Sequence, residues 1–173
     1  MHKVVLLAAT VVAATLGIPG DAQSVNAART TQAPGGAACQ LSIPTIDTGV
    51  RPKATGFRNE GTTNAFAICG IENPARDGAK AATIVLYSLD NVAHGMSCTA
   101  VNGWPDSGSL IYSTKNVTPA SSASGTLLQF LPADFGGAGP YMPQEGLISV
   151  TCSLPPNVSV GYLSLDYDED VGS

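Results

Sequence analysis

The chain is 173 residues long, carries a formal net charge of −5 and is only 12% charged, where an average globular domain is about a quarter charged. So sparse and acidic a charge set has little to offer phosphates, which argues against nucleic acid as a partner. The length sets one domain as the expectation, with enough chain to bury a continuous core.

The N-terminus has the three parts of an export signal in order. Met1-His2-Lys3 is a short basic start, and Val4–Ile18 is an uncharged apolar run of 15 residues. Pro19-Gly20-Asp21-Ala22 then brings a helix stop and small residues at the −3 and −1 positions of a cut after Ala22. The run is shorter than the roughly 20 residues needed to span a bilayer, so residues 1–22 read as a signal peptide. No cysteine follows closely enough for a lipoprotein, and no later segment could cross a membrane once the signal is removed. Cleavage takes away Lys3 and Asp21 together and leaves the charge at −5. A secreted or periplasmic location follows as the expectation.

Residues 23–38 are Ala, Thr, Gln, Ser and Gly with one proline, without periodicity or bulky apolar side chains. They read as a disordered leader, with the folded domain spanning 39–173. From Cys39 the pattern is β throughout, and glycine and proline break up any helical stripe. Cys39–Ile43, Ala54–Asn59 and Asn64–Ile71 come first. Thr83–Tyr87 is a dense β-branched run, Met96–Ala100 alternates, and Leu110–Tyr112 leads on to Val117. Thr126–Leu131 is short and apolar. Ile148, Val150, Cys152 and Leu154 alternate with Ser149, Thr151 and Ser153, and Val158–Tyr167 closes the series. Period-two alternation marks half-buried antiparallel strands. About eight or nine of them, regularly punctuated, predict an all-β, antiparallel two-sheet β-sandwich. The long segment from Pro132 to Gly146, with Phe135, Tyr141 and Met142, reads as a functional loop or a packed crossover.

Cys39, Cys69, Cys98 and Cys152 contain no C-x-x-C pair, and an even count in an exported chain predicts two disulfides stapling the sandwich. Cys98 and Cys152 sit mid-strand between apolar residues at ±2, whereas Cys39 and Cys69 lie at strand ends. Like-with-like pairing therefore gives Cys39–Cys69 and Cys98–Cys152.

Catalytic signatures are thin. His94 is the only histidine left after cleavage, no Gly-x-Ser-x-Gly elbow accompanies it, and a triad has nothing else to use. Paired carboxylates drawn from Glu60, Glu72, Asp90, Asp106, Asp134 and Glu145 leave a small hydrolase as one alternative. Trp104, in Asn102-Gly103-Trp104-Pro105-Asp106, reads as a loop aromatic able to stack on a sugar or anchor an interface, and Tyr141 is a second candidate ligand contact. In the acidic tail, Asp166, Asp168 and Asp170 recur at positions 1, 3 and 5 as in a calcium loop. The glycine falls at position 7 instead of 6, and the bidentate acid at position 12 is missing. The expectation there is weak calcium binding or a solvated end, and no other cofactor is indicated.

Three stretches carry a resemblance: Cys39-Gln40-Leu41-Ser42-Ile43-Pro44, Arg51-Pro52-Lys53-Ala54-Thr55-Gly56-Phe57-Arg58-Asn59-Glu60-Gly61 and Thr151-Cys152-Ser153-Leu154-Pro155-Pro156. They are similar to small exported bacterial β domains of unassigned function, a likeness that implies no site residues. Chaperone-assembled pilins share the size, export and cysteines but carry a tyrosine just before the C-terminus that this chain lacks. The functional expectation is an exported, non-catalytic binding domain for a glycan or an envelope or extracellular protein, with a structural or surface-assembly subunit as the alternative.

Overall fold

A computed structural model describes residues 25–43, 49–144 and 146–172. The signal segment 1–22 lies outside the described residues. Eleven strands follow one another: β1 (Asn26–Pro34), β2 (Cys39–Leu41), β3 (Val50–Lys53), β4 (Gly56–Asn59), β5 (Ala65–Ile71), β6 (Ala79–Ser88), β7 (Met96–Trp104), β8 (Ser109–Val117), β9 (Thr126–Phe130), β10 (Leu147–Leu154) and β11 (Val158–Asp170). A single helical turn, α1 (Gly35–Ala38), and two short 3₁₀ turns, Pro105–Ser107 and Pro132–Phe135, are the only helical pieces among the described residues. None is long and apolar enough to cross a membrane.

The strands form two antiparallel sheets. Sheet one runs β3-β4-β11-β6-β9, with β1 also on β11, and sheet two runs β2-β5-β10-β7-β8. The expected sandwich is therefore the fold, with two or three more strands than the eight or nine that alternation revealed. Phe57, Ile84, Leu86, Phe130, Val158, Val160, Leu163 and Leu165 from sheet one meet Ala67, Cys69, Ile71, Cys98, Ala100, Ile148, Val150, Cys152 and Leu154 from sheet two in one core. Phe135 fills the end of it, 6.3 Å from Phe130 between ring centroids, so the start of the 132–146 segment is a packed crossover.

The leader differs from expectation. Residues 26–34, read as disordered, are β1, paired with β11 from Asn26↔Asp170 to Pro34↔Tyr162. No residue of β1 is buried. A strand with neither face in the core has no reason to alternate, so composition alone looked like linker. Its order comes from the backbone ladder and from side chains opposite: Arg29 Nε donates to Glu169 at 3.0 Å, and Thr30 Oγ1 to Asp166 at 2.6 Å. β3 escaped notice for a related reason, since Pro52 and two cations suit only an edge strand.

β11 sets the geometry. Its inward residues change parity, from Val158 and Val160 to Leu163 and Leu165, which requires one extra residue between the two pairs. That residue is Gly161, where the register against β6 shifts between Val160 and Tyr162. The bulge places Ser159 and Tyr162 together on the outer face of sheet one.

Both disulfides lie within sheet two and join directly opposed residues, Cys39↔Cys69 on β2 and β5 and Cys98↔Cys152 on β7 and β10. This is the pairing that strand position suggested. The second closes a separation of 54 residues, for which loop-closure entropy gives about 4 kcal/mol. Replacing Cys98 and Cys152 together by alanine is expected to lower unfolding stability by about that amount in urea melts. Peptide mapping of unreduced protein should recover the Cys98–Cys152 cross-link and no other partner for Cys98.

Candidate functional site

The outer face of sheet one is recessed. Thr83 and Val85 point away from the core and yet are only 7% and 2% exposed. At the β4 end this face opens into a groove of about 510 Å³, lined by Ala54, Thr55, Arg58, Tyr87, Leu89, Ser122, Ser159, Gly161 and Tyr162. That volume is within the range of small-ligand clefts.

Three of its residues form one row across the sheet. Ser159 of β11 is the register partner of Arg58 on β4 and of Tyr87 on β6. Directly opposed side chains on one face stand about 5 Å apart at Cβ, so a guanidinium, a hydroxyl and a phenol lie side by side. Tyr162, opposite Val85, adds a second phenol just past the bulge. Two glycines make the row possible. A Cβ on Gly161 would fall 2.4 Å from Tyr87 Cε2, so the phenol ring rests against that backbone. Gly56 has φ +131°, and a Cβ there would meet Ser159 Oγ at 2.6 Å.

The polar groups of this row are incompletely used. Arg58 Nε and Ser159 Oγ are both buried without a hydrogen-bond partner among the described residues, a state that costs about 1–3 kcal/mol per group. Arg58 Nη1 is 3.9 Å from Glu60 Oε1, and Lys53 forms a close ion pair with the same carboxylate oxygen. The hydrogen bond from Lys53, helped by the charges of Lys53, Arg58 and Arg51 and opposed by partial burial, holds Glu60 below the ordinary carboxylate range. Among the described residues no carboxylate lines the groove itself.

The residues singled out from sequence lie elsewhere. Trp104 ends β7 instead of sitting in a loop, with its indole against Gly146, where a Cβ would fall 2.2 Å from Nε1. Tyr141 donates its hydroxyl to Asp168 Oδ2 at 2.9 Å. Neither lines the groove. Asp166, Asp168 and Asp170 extend β11, each with a protein partner: Asp166 accepts from Thr30, Asp168 from Tyr141 and from Lys80 Nζ at 2.8 Å, and Asp170 from the Gly172 N–H. Among the described residues no group of three acidic, histidine or cysteine side chains is placed to hold a metal ion.

The candidate acids are likewise dispersed. Asp90 accepts from Ser88, the Val92 N–H and Asn157 and pairs with His94 at 2.9 Å, and His94 above all holds its carboxyl well below the usual range. Burial pushes Asp134 up, but the Leu131 N–H and Lys115 outweigh it and leave the net direction downward. Glu72 and Asp106 are exposed on other turns, and Glu145 lies outside the described residues.

Sequence reading missed Arg58, Tyr87, Ser159 and Tyr162 as a set because they come from three separate strands. One signal was present: the parity change between Val160 and Leu163, which marks a bulge.

No protein-family model matches the chain, and no curated protein sequence matches it. Among solved structures, it is similar to the Podospora anserina GH26-CBM35 β-(1,4)-mannanase, with a TM-score of 0.44 and 11% identity over 81% of this chain. The chain spans 28% of that protein's length. It is also similar to the family 11 carbohydrate-binding module of the cellulosomal cellulase Lic26A-Cel5E of Clostridium thermocellum, with a TM-score of 0.35 and 15% identity over 87% of this chain and 90% of that one. A solution structure of CtCBM11 gives a TM-score of 0.36 and 15% identity over 92% of each chain.

The tail carboxylate yields a pH prediction. Hydrogen bonds from Lys80 first and Tyr141 second hold Asp168 below the 3.8 of a free aspartate. A folded value depressed below the unfolded one contributes stability above the unfolded value and loses it as pH falls through the folded one. Asp168→Asn should therefore lower Tm at neutral pH and flatten the fall in Tm between about pH 4 and pH 2. Thermal melts of the two proteins across that range check it.

Proposed function

We propose that the protein is an exported, non-catalytic glycan-binding module whose ligand lies in the groove over β4, β11 and β6. The observation that carries this reading is the Arg58–Ser159–Tyr87 row with Tyr162 beside it, in an open groove that no carboxylate lines among the described residues. A sugar presents two surfaces at once, a ring of C–H groups and a rim of hydroxyls. Tyrosine rings offer an apolar body to the first and a hydroxyl to the second. The guanidinium donors of Arg58 and the hydroxyls of Ser159, Thr55 and Ser122 supply the few convergent polar groups that fix orientation.

Glycoside hydrolysis needs a pair of carboxyl groups flanking the scissile bond, and among the described residues no acid lines the groove, which favours binding over a carboxylate hydrolase at this position. Two disulfides in a chain of this size support a working place outside the reducing cytoplasm, secreted or periplasmic. This reading shifts ligand contact from Trp104 and Tyr141 to Tyr87 and Tyr162.

The test is affinity electrophoresis of the full chain in gels containing soluble polysaccharides. Tyr87→Ala and Tyr162→Ala should each weaken retardation about tenfold or more, equivalent to roughly 1.4 kcal/mol, while Trp104→Ala stays within about twofold. Loss of binding only in Trp104→Ala would move the ligand to the β7 end. A wild-type chain retarded by no polysaccharide would overturn the reading.

A further inference from the structure

Building on that groove, we infer that its ligand is an anionic glycan, one carrying uronate carboxylates, bound at the β3–β4 end where Arg58 faces Ser159. The inference rests on the reading of the groove as a glycan site and adds the charge of the sugar.

Among the described residues the groove lining contains one charged residue, and it is a cation, Arg58. The register of the β3–β4 hairpin sets Arg51 opposite Arg58 and Lys53 opposite Gly56, so all three cations belong to the same outer face. Among the described residues a single carboxylate, Glu60, stands among them, closest to Lys53. Among the described residues, three cations and one carboxylate share this end of the sheet, in a chain whose net charge is −5. On the β6 side, Asp90 is engaged by Ser88, the Val92 N–H, His94 and Asn157. The acidic tail residues of the same outer face lie at the far end of β11, where Asp166 pairs with Thr30 and Asp168 with Lys80 and Tyr141.

Arg58 is also the cation with capacity to spare. Lys53 is committed to Glu60, while Arg58 reaches that carboxylate only at 3.9 Å, and its Nε has no partner among the described residues. A guanidinium presents its donors as a planar fork that matches a carboxylate bidentately. A uronate carboxyl at Arg58 would bring the pyranose ring over Ser159 and toward Tyr87 and Tyr162, the next residues along the face. The positive patch is short, so it suits one or two uronate units and not a long uniformly charged chain.

The experiment is isothermal titration calorimetry of the full chain with hexagalacturonate and with its fully methyl-esterified counterpart, which keeps the rings and hydroxyls and removes the charge. Hexamannuronate, cellohexaose and a sulfated dextran oligomer complete the set. The acid form should bind about tenfold more tightly than its ester, and the difference should shrink as salt rises from about 50 to 500 mM. Arg58→Gln should erase the difference, Arg58→Lys should recover part of it, and Arg29→Gln, which removes the same charge from the far end, should leave it intact. The wild-type acid and ester comparison stands even if an Arg58 variant does not fold. Equal or tighter binding of the ester, or preference for cellohexaose, overturns the anionic inference while leaving the glycan reading in place. Preference for the sulfated oligomer over both uronates overturns the uronate assignment. Binding to none of the five overturns the glycan reading as well.

Discussion

The structure depends on the one-residue bulge at Gly161. β11 is the central strand of sheet one, with β6 along one edge and β4 and β1 end to end along the other. Without the extra residue, either Val158 and Val160 or Leu163 and Leu165 would face solvent, since a one-residue slip moves every following side chain to the opposite face. All four are fully buried. The bulge therefore satisfies the core, and the same step turns Ser159 and Tyr162 outward as neighbours. Core formation and groove formation are one backbone event.

That coupling explains why the groove is small-floored and polar at its base. Tyr87 rests on Gly161, and Ser159 sits against Gly56, so both close approaches within the row are made to glycine. Sheet two carries the covalent constraints instead. Its two disulfides join directly opposed residues and leave sheet one to be held by its ladder, by the shared core and by the β1 clamp. The acidic tail belongs to that clamp: its carboxylates meet Arg29, Thr30, Lys80 and Tyr141 and tie the last strand to β1, β6 and the loop before β10.

Much of this architecture was legible in the sequence wherever one face of a strand is buried and the other wet. Ile148–Leu154 and Met96–Ala100 alternate because β10 and β7 have that environment, and the cysteines within them pair as their positions imply. Legibility failed in two opposite situations. β1 has no buried face, so it lacks a pattern. Thr83–Tyr87 is sheltered on both faces, Ile84 and Leu86 by the core and Thr83 and Val85 by the recess, so its apolar run is continuous and the outward position of Tyr87 is hidden. The groove was further concealed because residues 58, 87 and 159 meet only through strand pairing. Trp104 drew notice as the sole tryptophan, a property of composition that says nothing of placement.

The proposed ligand site lies on the outer face of sheet one, over the bulge. A nitrogen-15 NMR titration of the full chain with hexagalacturonate tests it most directly, since every backbone amide reports its own surroundings. With ligand in the groove, the largest shift changes map to Thr55, Arg58, Tyr87, Ser159, Gly161 and Tyr162, with sheet two unmoved. Changes concentrated instead around Trp104, or on the outer face of β5, β10 and β8, would contradict it.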